Sequence, residues 1–216
     1  MKMNDYDMPR FLWLWLPVAF LAVQFVLEWA LPSRVLAAMH SENGPHELLQ
    51  FAAVLAGFLI ALQTLIQIDV RAQKWLAAWL GLAAVCCLYV AGEEISWGQH
   101  IWQWTTPEFW ADHNDQQETN LHNTSSWLDQ KPRLVLEIGI VVGGVIIPLL
   151  RRFRPAWLWQ RFTVIYPPSY LCVVAVLAVI VKLADKIAGS AGIIVFERGS
   201  EVEELYLFYF VALYLW

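Results

Sequence analysis

Long apolar runs alternate with short polar segments along this chain. Five runs approach the length of about 20 residues that a helix needs to cross about 30 Å of hydrocarbon, and a sixth is shorter. The runs cover residues 11–31, 48–66, 75–91, 134–150, 164–183 and 205–216. The pattern predicts an all-α integral membrane protein, a bundle of about six transmembrane helices, in which residues 1–216 form a single transmembrane domain.

The sixth run is too short to cross a bilayer alone. The 12 residues that follow Glu204 cover about 18 Å as a helix. If Trp216 lies at one interface, Glu203 and Glu204 lie within the membrane. Glu197, Glu201 and Glu204 also share a helix face. A buried stripe of this kind needs protons, cations or a basic partner, whereas local bilayer thinning or a shortened sequence end would also explain the length.

Composition supports a membrane protein, and the basic residues predict its orientation. Hydrophobic residues make up 59% of the chain, charged residues 15%, and the mean hydropathy is +0.49, whereas soluble domains carry more charge. With six spans, eight of the 14 Lys and Arg fall on the same side as the N-terminus, most densely at residues 151–161. Because basic residues stay inside, both termini are expected to face the cytoplasm across a bacterial-type cytoplasmic (inner) membrane.

Acidic residues gather on the opposite side of the predicted membrane. Sixteen of the 19 Asp and Glu, and all five histidines, fall in segments expected to face the periplasm or the extracellular space. A field of carboxylates attracts cations or basic partners, and a solvated acidic rim is the alternative interpretation. The chain has no basic patch that would favour nucleic acid as a partner. The functional face is therefore expected to be the outer one.

A pair of glutamates ends the third apolar run, in the stretch AGEEISWGQHIWQW at residues 91–104. If the helix continues past the lipid boundary, Glu93, Trp97 and His100 share one face by their i, i+4, i+7 spacing. A carboxylate and an imidazole on one face suit half of a metal site or an acid–base pair. Glu93 and Glu94 are accordingly predicted to be catalytic, and His100 to bind metal. The alternative is that both glutamates have reached the lipid head groups.

The polar loop between the third and fourth helices has the sequence HNDQQETNLHN at residues 113–123. In a helical segment, Glu118 and His122 would stand i, i+4 and could ligate one ion. His113 is predicted to be catalytic beside Glu93 and Glu94. Four amide side chains are predicted to bind substrate: Asn114, Gln117, Asn120 and Asn123. An ordinary hydrophilic loop is the alternative.

Glycines in the fourth run predict a close helix contact. Gly139 and Gly143 have GxxxG spacing, and Gly144 follows directly. Small residues of this kind let two membrane helices approach each other closely. We expect them to have a packing role.

These patterns predict a membrane enzyme acting on a lipid or lipid-linked head group. A divalent metal of unspecified identity would be bound by His100, Glu118, His122 and Glu204. The alternative is a non-catalytic subunit, or an assembly or transport partner, of an envelope membrane complex. Haem or quinone chemistry with interfacial histidines as ligands is a third hypothesis. The expected partners are membrane lipid, a lipid-linked substrate or other membrane subunits.

Overall fold

The described part of the protein consists of helices joined by turns and loops, and it contains no strands. The computed structural model describes residues 8–41, 44–114, 117–121 and 124–216, and the side chains of His100, Ser126 and Asp129 lie outside that description. The helices are α1 Leu16–Ala30, α2 Ser33–Met39, α3 Pro45–Gln67, α4 Lys74–Glu94, α5 Gln99–Trp102, α6 Glu108–His113, α7 Ser126–Val141, α8 Ile147–Phe153, α9 Cys172–Ser190 and α10 Gly199–Leu215. A π-helical turn, Phe11–Trp15, leads into α1, and another, Val142–Ile146, joins α7 to α8.

Four helical segments in the described part of the chain are long and apolar enough to span a membrane. They are Phe11–Ala30, Pro45–Gln67, Lys74–Glu94 and Gln130–Phe153. Each includes nearly all of one of the first four apolar runs. The prediction of an all-helical membrane protein is therefore confirmed, while its six-helix count is not, because only four of the described segments meet these criteria.

The fifth apolar run does not form the predicted helix over residues 164–183. The chain turns through Pro167 and Pro168, and α9 begins only at Cys172. Proline lacks the N–H that a helix interior needs, and it disfavours helical geometry in the residue before it. The helix instead extends to Ser190 and includes Lys182, which has a role at the functional site.

Helix α10 forms the centre of the bundle. It begins at Gly199, six residues before the predicted run, and its 17 residues span about 26 Å. Most of its side chains are buried, as expected of a helix that is apolar on all sides. Its tyrosine hydroxyls reach backbone carbonyls elsewhere in the bundle: Tyr206 donates to Pro17 O at 2.6 Å, and Tyr214 donates to Ile165 O at 2.7 Å.

Two of the three glycines predicted to pack do so. A Cβ at Gly144 would collide with Ala175 Cβ and lie 2.8 Å from the Phe210 ring, and one at Gly143 would lie 3.0 Å from Pro167. Nothing approaches within 4 Å of such a Cβ at Gly139. Gly144 therefore lets the π-helical turn approach α9 and α10 closely, and Gly143 lets it approach the turn at Pro167, whereas Gly139 faces away from these contacts.

Gly144→Ala is expected to destabilise the bundle, and Gly139→Ala is its matched control. Overpacking of this kind costs about 1–3 kcal/mol, because a helix must shift to admit the methyl group. At Gly139 the same methyl meets open space and gains up to about 1 kcal/mol of helix propensity. Thermal unfolding in detergent measures both. Equal midpoints for the two variants would contradict the close approach at Gly144.

Candidate functional site

Three groups of polar side chains lie at one end of the bundle, which we call the glutamate end. Helices α3, α7 and α10 begin there, and α1 and α4 end there. We name the groups the polar clasp, the carboxylate cluster and the histidine cluster.

The chain reverses immediately after α4. Ser96 and Trp97 have positive φ angles of 45° and 55°, and Gly98 has a φ of 91°. These left-handed conformations end the helix, and the short α5 starts in a new direction. The prediction that Glu93, Trp97 and His100 share one face of a continuous helix is therefore wrong. The side chain of His100 lies outside the described residues.

The reversal folds Trp97 back over the end of α4. Its indole N–H donates to Glu93 Oε1 at 2.8 Å, and a Cβ at Gly92 would meet its ring at 2.8 Å. The other carboxylate oxygen, Glu93 Oε2, accepts a hydrogen bond from the Leu121 backbone N–H at 2.6 Å. Glu93 is buried. It therefore joins the end of α4 to the polar loop, which is a positioning role.

The polar clasp comprises Glu93 and five further buried side chains, which are Ser96, Gln99, Asn114, Glu118 and Asn120. At its centre the Asn120 amide donates to Ser96 Oγ at 2.9 Å and to Glu118 Oε2 at 2.8 Å, and the Ser96 hydroxyl donates to the same Glu118 oxygen. The Asn114 amide donates to Asn120 Oδ1 at 2.8 Å. Side-chain hydrogen bonds thus join Ser96, just after α4, to the polar loop.

Gln99 secures the other edge of the clasp. Its amide donates to Thr106 Oγ1 at 2.7 Å, and its carbonyl accepts from the Thr119 backbone N–H at 2.7 Å. The Thr106 hydroxyl in turn donates to the Gln117 backbone carbonyl at 2.6 Å. Such connected, buried networks specify one loop conformation. The clasp therefore fixes the polar loop against the end of α4.

The structure places the predicted loop residues in different environments. Asn114, Asn120 and Glu118 build the clasp, while Gln117 contributes its backbone and has an exposed side chain. The i, i+4 geometry expected of Glu118 is not formed, because residues 117–121 are not helical. His122 and Asn123 lie outside the described residues.

His113 is the last residue of α6. Its exposed ring stacks on Phe109 with centroids 4.6 Å apart, and its Nδ1 lies 2.8 Å from the Phe109 carbonyl. The described part of the chain contains no group of three or more His, Cys, Asp or Glu side chains that could hold a metal ion. The metal site therefore stays a prediction.

The carboxylate cluster surrounds Glu94. This residue ends α4 and interacts electrostatically with Glu47 at the start of α3 and with Glu201 and Glu204 in the first turns of α10. Arg133 of α7 also interacts with Glu94 and forms a close ion pair with Glu204. Three helices thus contribute glutamates to this cluster, and α7 contributes an arginine. Of its members, Glu94 and Glu204 were predicted as site residues and Glu201 was placed on the same acidic stripe as Glu204, but Glu47 was not predicted as a site residue.

A second ion-pair group adjoins the carboxylate cluster. Lys182 of α9 forms a close ion pair with Glu137 of α7, and its Nζ lies 3.2 Å from Glu203 Oε1. A cavity of about 330 Å³ lies beside this group, and its lining also includes Arg133. Arg133 therefore connects the cavity to the carboxylate cluster.

The histidine cluster was missed by sequence reasoning. Its four members, Gln24, His40, His46 and Gln50, are almost completely buried. The rings of His40 and His46 stack with centroids 4.0 Å apart, and the Gln50 amide donates to the Glu201 backbone carbonyl at 3.0 Å. The available signal was a glutamine inside each of the first two apolar runs, because an amide in an apolar helix needs a polar partner.

Hydrogen bonds define the proton positions in this cluster. The Gln24 amide donates to Glu28 Oε1 at 2.8 Å, so its carbonyl oxygen faces His46 Nε2 at 3.1 Å. His46 Nε2 must therefore carry a hydrogen. The same Gln24 nitrogen lies 3.5 Å from His40 Nε2, which then accepts. In neutral His40 the proton thus sits on Nδ1, which has no hydrogen-bond partner among the described residues.

Known proteins do not identify this chain. No protein-family model, curated protein or solved structure matches it. The clasp, the carboxylate cluster and the histidine cluster are therefore the basis for proposing a function.

Stability is expected to fall at acidic pH because of His40. Burial lowers the pKa of His40 from 6.5 to about 4, and the nearby His46 and Arg198 add to this effect. The unfolded chain binds a proton near pH 6.5 while folded His40 stays neutral. With respect to His40, the protein therefore keeps its full free energy of unfolding above pH 6.5. As the pH falls from 6.5 towards 4, His40 lowers that free energy by on the order of 3 kcal/mol.

Melting curves of wild type and His40→Asn between pH 4.5 and 7.5 measure this contribution. The wild type should lose stability on acidification more steeply than His40→Asn, because the variant has no imidazole to protonate. His113→Asn removes an exposed histidine instead and should keep the wild-type slope. Parallel curves for wild type and His40→Asn would contradict the assignment.

Proposed function

We propose that this protein is a membrane enzyme that uses its carboxylate cluster for acid–base chemistry on a lipid or lipid-linked head group. The proposal is carried by the electrostatic interaction of Glu94, the last residue of a candidate membrane-spanning helix, with Glu47, Glu201 and Glu204. Ionisable groups at such a position are expensive to keep there and are functional by default.

The chemistry follows from the charges in the cluster. Glu94 faces three other glutamates but interacts with one arginine, Arg133, which is already paired with Glu204. Neighbouring carboxylates cannot all ionise without strong repulsion, so a cluster of this kind shares protons. A carboxyl group that readily takes up and releases a proton is suited to general acid–base catalysis. We assign this role to Glu94.

The proposed substrate class follows from the position of the cluster along the helices. Glu94 ends one candidate span and Glu47 lies in the first turn of another. The ends of membrane-spanning helices lie near the lipid head groups. A substrate that reaches Glu94 from the bilayer therefore presents its head group.

The polar clasp supports this proposal because its hydrogen bonds hold the end of α4 in place. Glu93 accepts hydrogen bonds from Trp97 and from the backbone of Leu121, and both bonds hold α4 against the loop. A fixed scaffold of this kind keeps a catalytic group in position. We therefore assign Glu93 a positioning role and Glu94 the catalytic one.

The membrane topology is part of the same proposal. Six spans with both termini inside would include α9 and α10 with the four candidate spans and place the glutamate end outside a bacterial-type inner membrane. The basic segment at residues 151–161 favours this orientation. Acid–base chemistry at Glu94 does not itself require the predicted divalent metal.

Exposed aromatic side chains favour a second candidate, a docking subunit of a membrane complex. Trp102 is 71% exposed and Phe109 is 62% exposed, and the Trp102 ring stacks on Trp104 with centroids 6.3 Å apart. Aromatic residues are enriched at the centres of protein interfaces. A docking role would depend on these rings and not on Glu94, which separates the two candidates.

Reconstitution tests the enzyme directly. The purified full-length protein would be placed in liposomes made from a bacterial lipid extract, and lipid species would be followed over time by mass spectrometry. The proposal expects one lipid class to be consumed while a product accumulates, at a rate proportional to the amount of protein. An unchanged composition across all lipid classes would contradict it and leave the docking role.

A further inference from the structure

The cavity at the glutamate end is lined by side chains of both signs. It lies between α7, α9 and α10, with Lys131, Arg133 and Lys182 as its cations and Glu137 and Glu203 as its carboxylates. Its volume of about 330 Å³ is near the lower end of the range of about 300–1,000 Å³ for small-molecule sites. The space therefore suits a compact polar group and not a long acyl chain.

Existing ion pairs leave this lining close to neutral. Lys182 forms ion pairs with Glu137 and Glu203. Arg133 is paired with Glu204, which is not one of the lining residues. A simple anion entering the cavity would meet the two carboxylates, and a simple cation would meet the three basic groups. A ligand that carries both charges can place each beside its opposite. Lys131 is exposed and accessible to an anionic group.

The cavity also lies at one end of a candidate membrane-spanning helix, where lipid head groups are expected. Its α7 residues, 131–137, belong to the first two turns of the candidate span Gln130–Phe153. Leu134 contributes to the lining and is 45% exposed, and its neighbour Val135 is 71% exposed. An apolar surface beside a charged cavity is suited to a ligand with acyl chains and a charged head. The head-group layer is several ångströms thick on each side of the hydrocarbon.

We propose that this cavity binds the zwitterionic head group of a membrane phospholipid, with the phosphate near Lys131 and Arg133 and the ammonium group near Glu137 and Glu203. Only the conversion of the bound head group rests on the proposed function; its binding to the cavity does not. Arg133 both lines the cavity and interacts with Glu94. A head group seated there would therefore lie next to the carboxylate cluster.

Displacement of a fluorescent phosphatidylethanolamine from the purified full-length protein tests this binding. The competitors are unlabelled phosphatidylethanolamine, phosphatidylglycerol, diacylglycerol, water-soluble phosphoethanolamine and inorganic phosphate. Phosphatidylethanolamine should compete at least about tenfold better than each of the others. Equal competition by phosphatidylglycerol would contradict the preference for a zwitterionic head group. Equal competition by soluble phosphoethanolamine or inorganic phosphate would overturn the lipid source.

Two charge substitutions should produce opposite selectivity. Glu203→Gln should weaken phosphatidylethanolamine about tenfold, because it removes a carboxylate that would contact the ammonium group. It also removes the ion pair between Glu203 and Lys182, so phosphatidylglycerol should bind unchanged or tighter. Lys131→Ala should weaken both phospholipids, since both carry the phosphate. Glu137→Gln repeats the first test if Glu203→Gln fails to fold. Uniform losses in all three variants would contradict the proposed arrangement.

Matched controls separate this site from general effects and from the proposed reaction. Lys186→Ala and Glu108→Gln change exposed residues of the same types elsewhere and should bind all lipids as the wild type does. Glu94→Gln should keep the binding preference and lose only conversion. Binding without conversion in the wild type would therefore contradict the enzyme alone, and conversion without zwitterion preference would contradict this site alone.

Discussion

Glu94→Gln is expected to slow lipid conversion by a factor on the order of 10²–10⁴, the usual contribution of a general acid or base. The carboxamide keeps the size of the side chain but can neither take up nor release a proton. In the proposed arrangement the substrate is held by the cavity and not by Glu94, so kcat should fall while KM changes little. The measurement is the initial rate in the liposome assay at several lipid concentrations.

The matched control for this prediction is Glu108→Gln. Glu108 is exposed at the start of α6, and its substitution removes the same charge away from the carboxylate cluster. This variant should convert lipid at the wild-type rate. If Glu94→Gln retains more than about a tenth of wild-type activity with an unchanged melting midpoint, Glu94 is not the acid–base group.

Asn120→Ala is expected to lower the stability of the protein by about 3 kcal/mol. The amide donates to Ser96 and Glu118 and accepts from Asn114, and all three partners are buried. Each buried group left unsatisfied costs about 1–3 kcal/mol, and the costs are not additive within one network. For a chain of this size the melting midpoint should fall by about 6–12 °C.

Thermal unfolding in detergent, followed by tryptophan fluorescence, measures this loss. Gln160→Ala is the control, because that side chain is exposed in a short turn between α8 and α9 and should change the midpoint little. An Asn120→Ala variant that melts with the wild type would show that the clasp does not hold the loop.

Much of the fold followed from hydrophobic patterning. Four apolar runs correspond to the four candidate spans, because a run of that length has few alternatives to a membrane helix. Residues 164–171 deviated because hydropathy does not register the effect of Pro167 and Pro168 on the backbone. The early start of α10 was also missed, since Glu201, Glu203 and Glu204 lower the hydropathy of its first turns.

The site was predictable only in part, because its geometry depends on loops and on long-range pairs. The Glu94 and Glu204 positions were found through their depth in the helices. The backbone reversal at Ser96 and Trp97 has no clear sequence signature, so the continuous helix past Glu94 was a reasonable error. The His40–His46 stack joins residues that hydropathy treats as ordinary loop and helix-end positions. Sequence spacing does not reveal such pairs.

The most direct test of the acid–base role is labelling with a hydrophobic carbodiimide, which modifies protonated carboxyl groups within membrane proteins. The protein in liposomes would be sampled over time for lipid conversion and for modified peptides by mass spectrometry. We expect Glu94 to be modified faster than the exposed Glu108, and conversion to be lost in step with that modification. Full conversion with Glu94 completely modified, or loss of activity with Glu94 untouched, would contradict the proposed role of this residue.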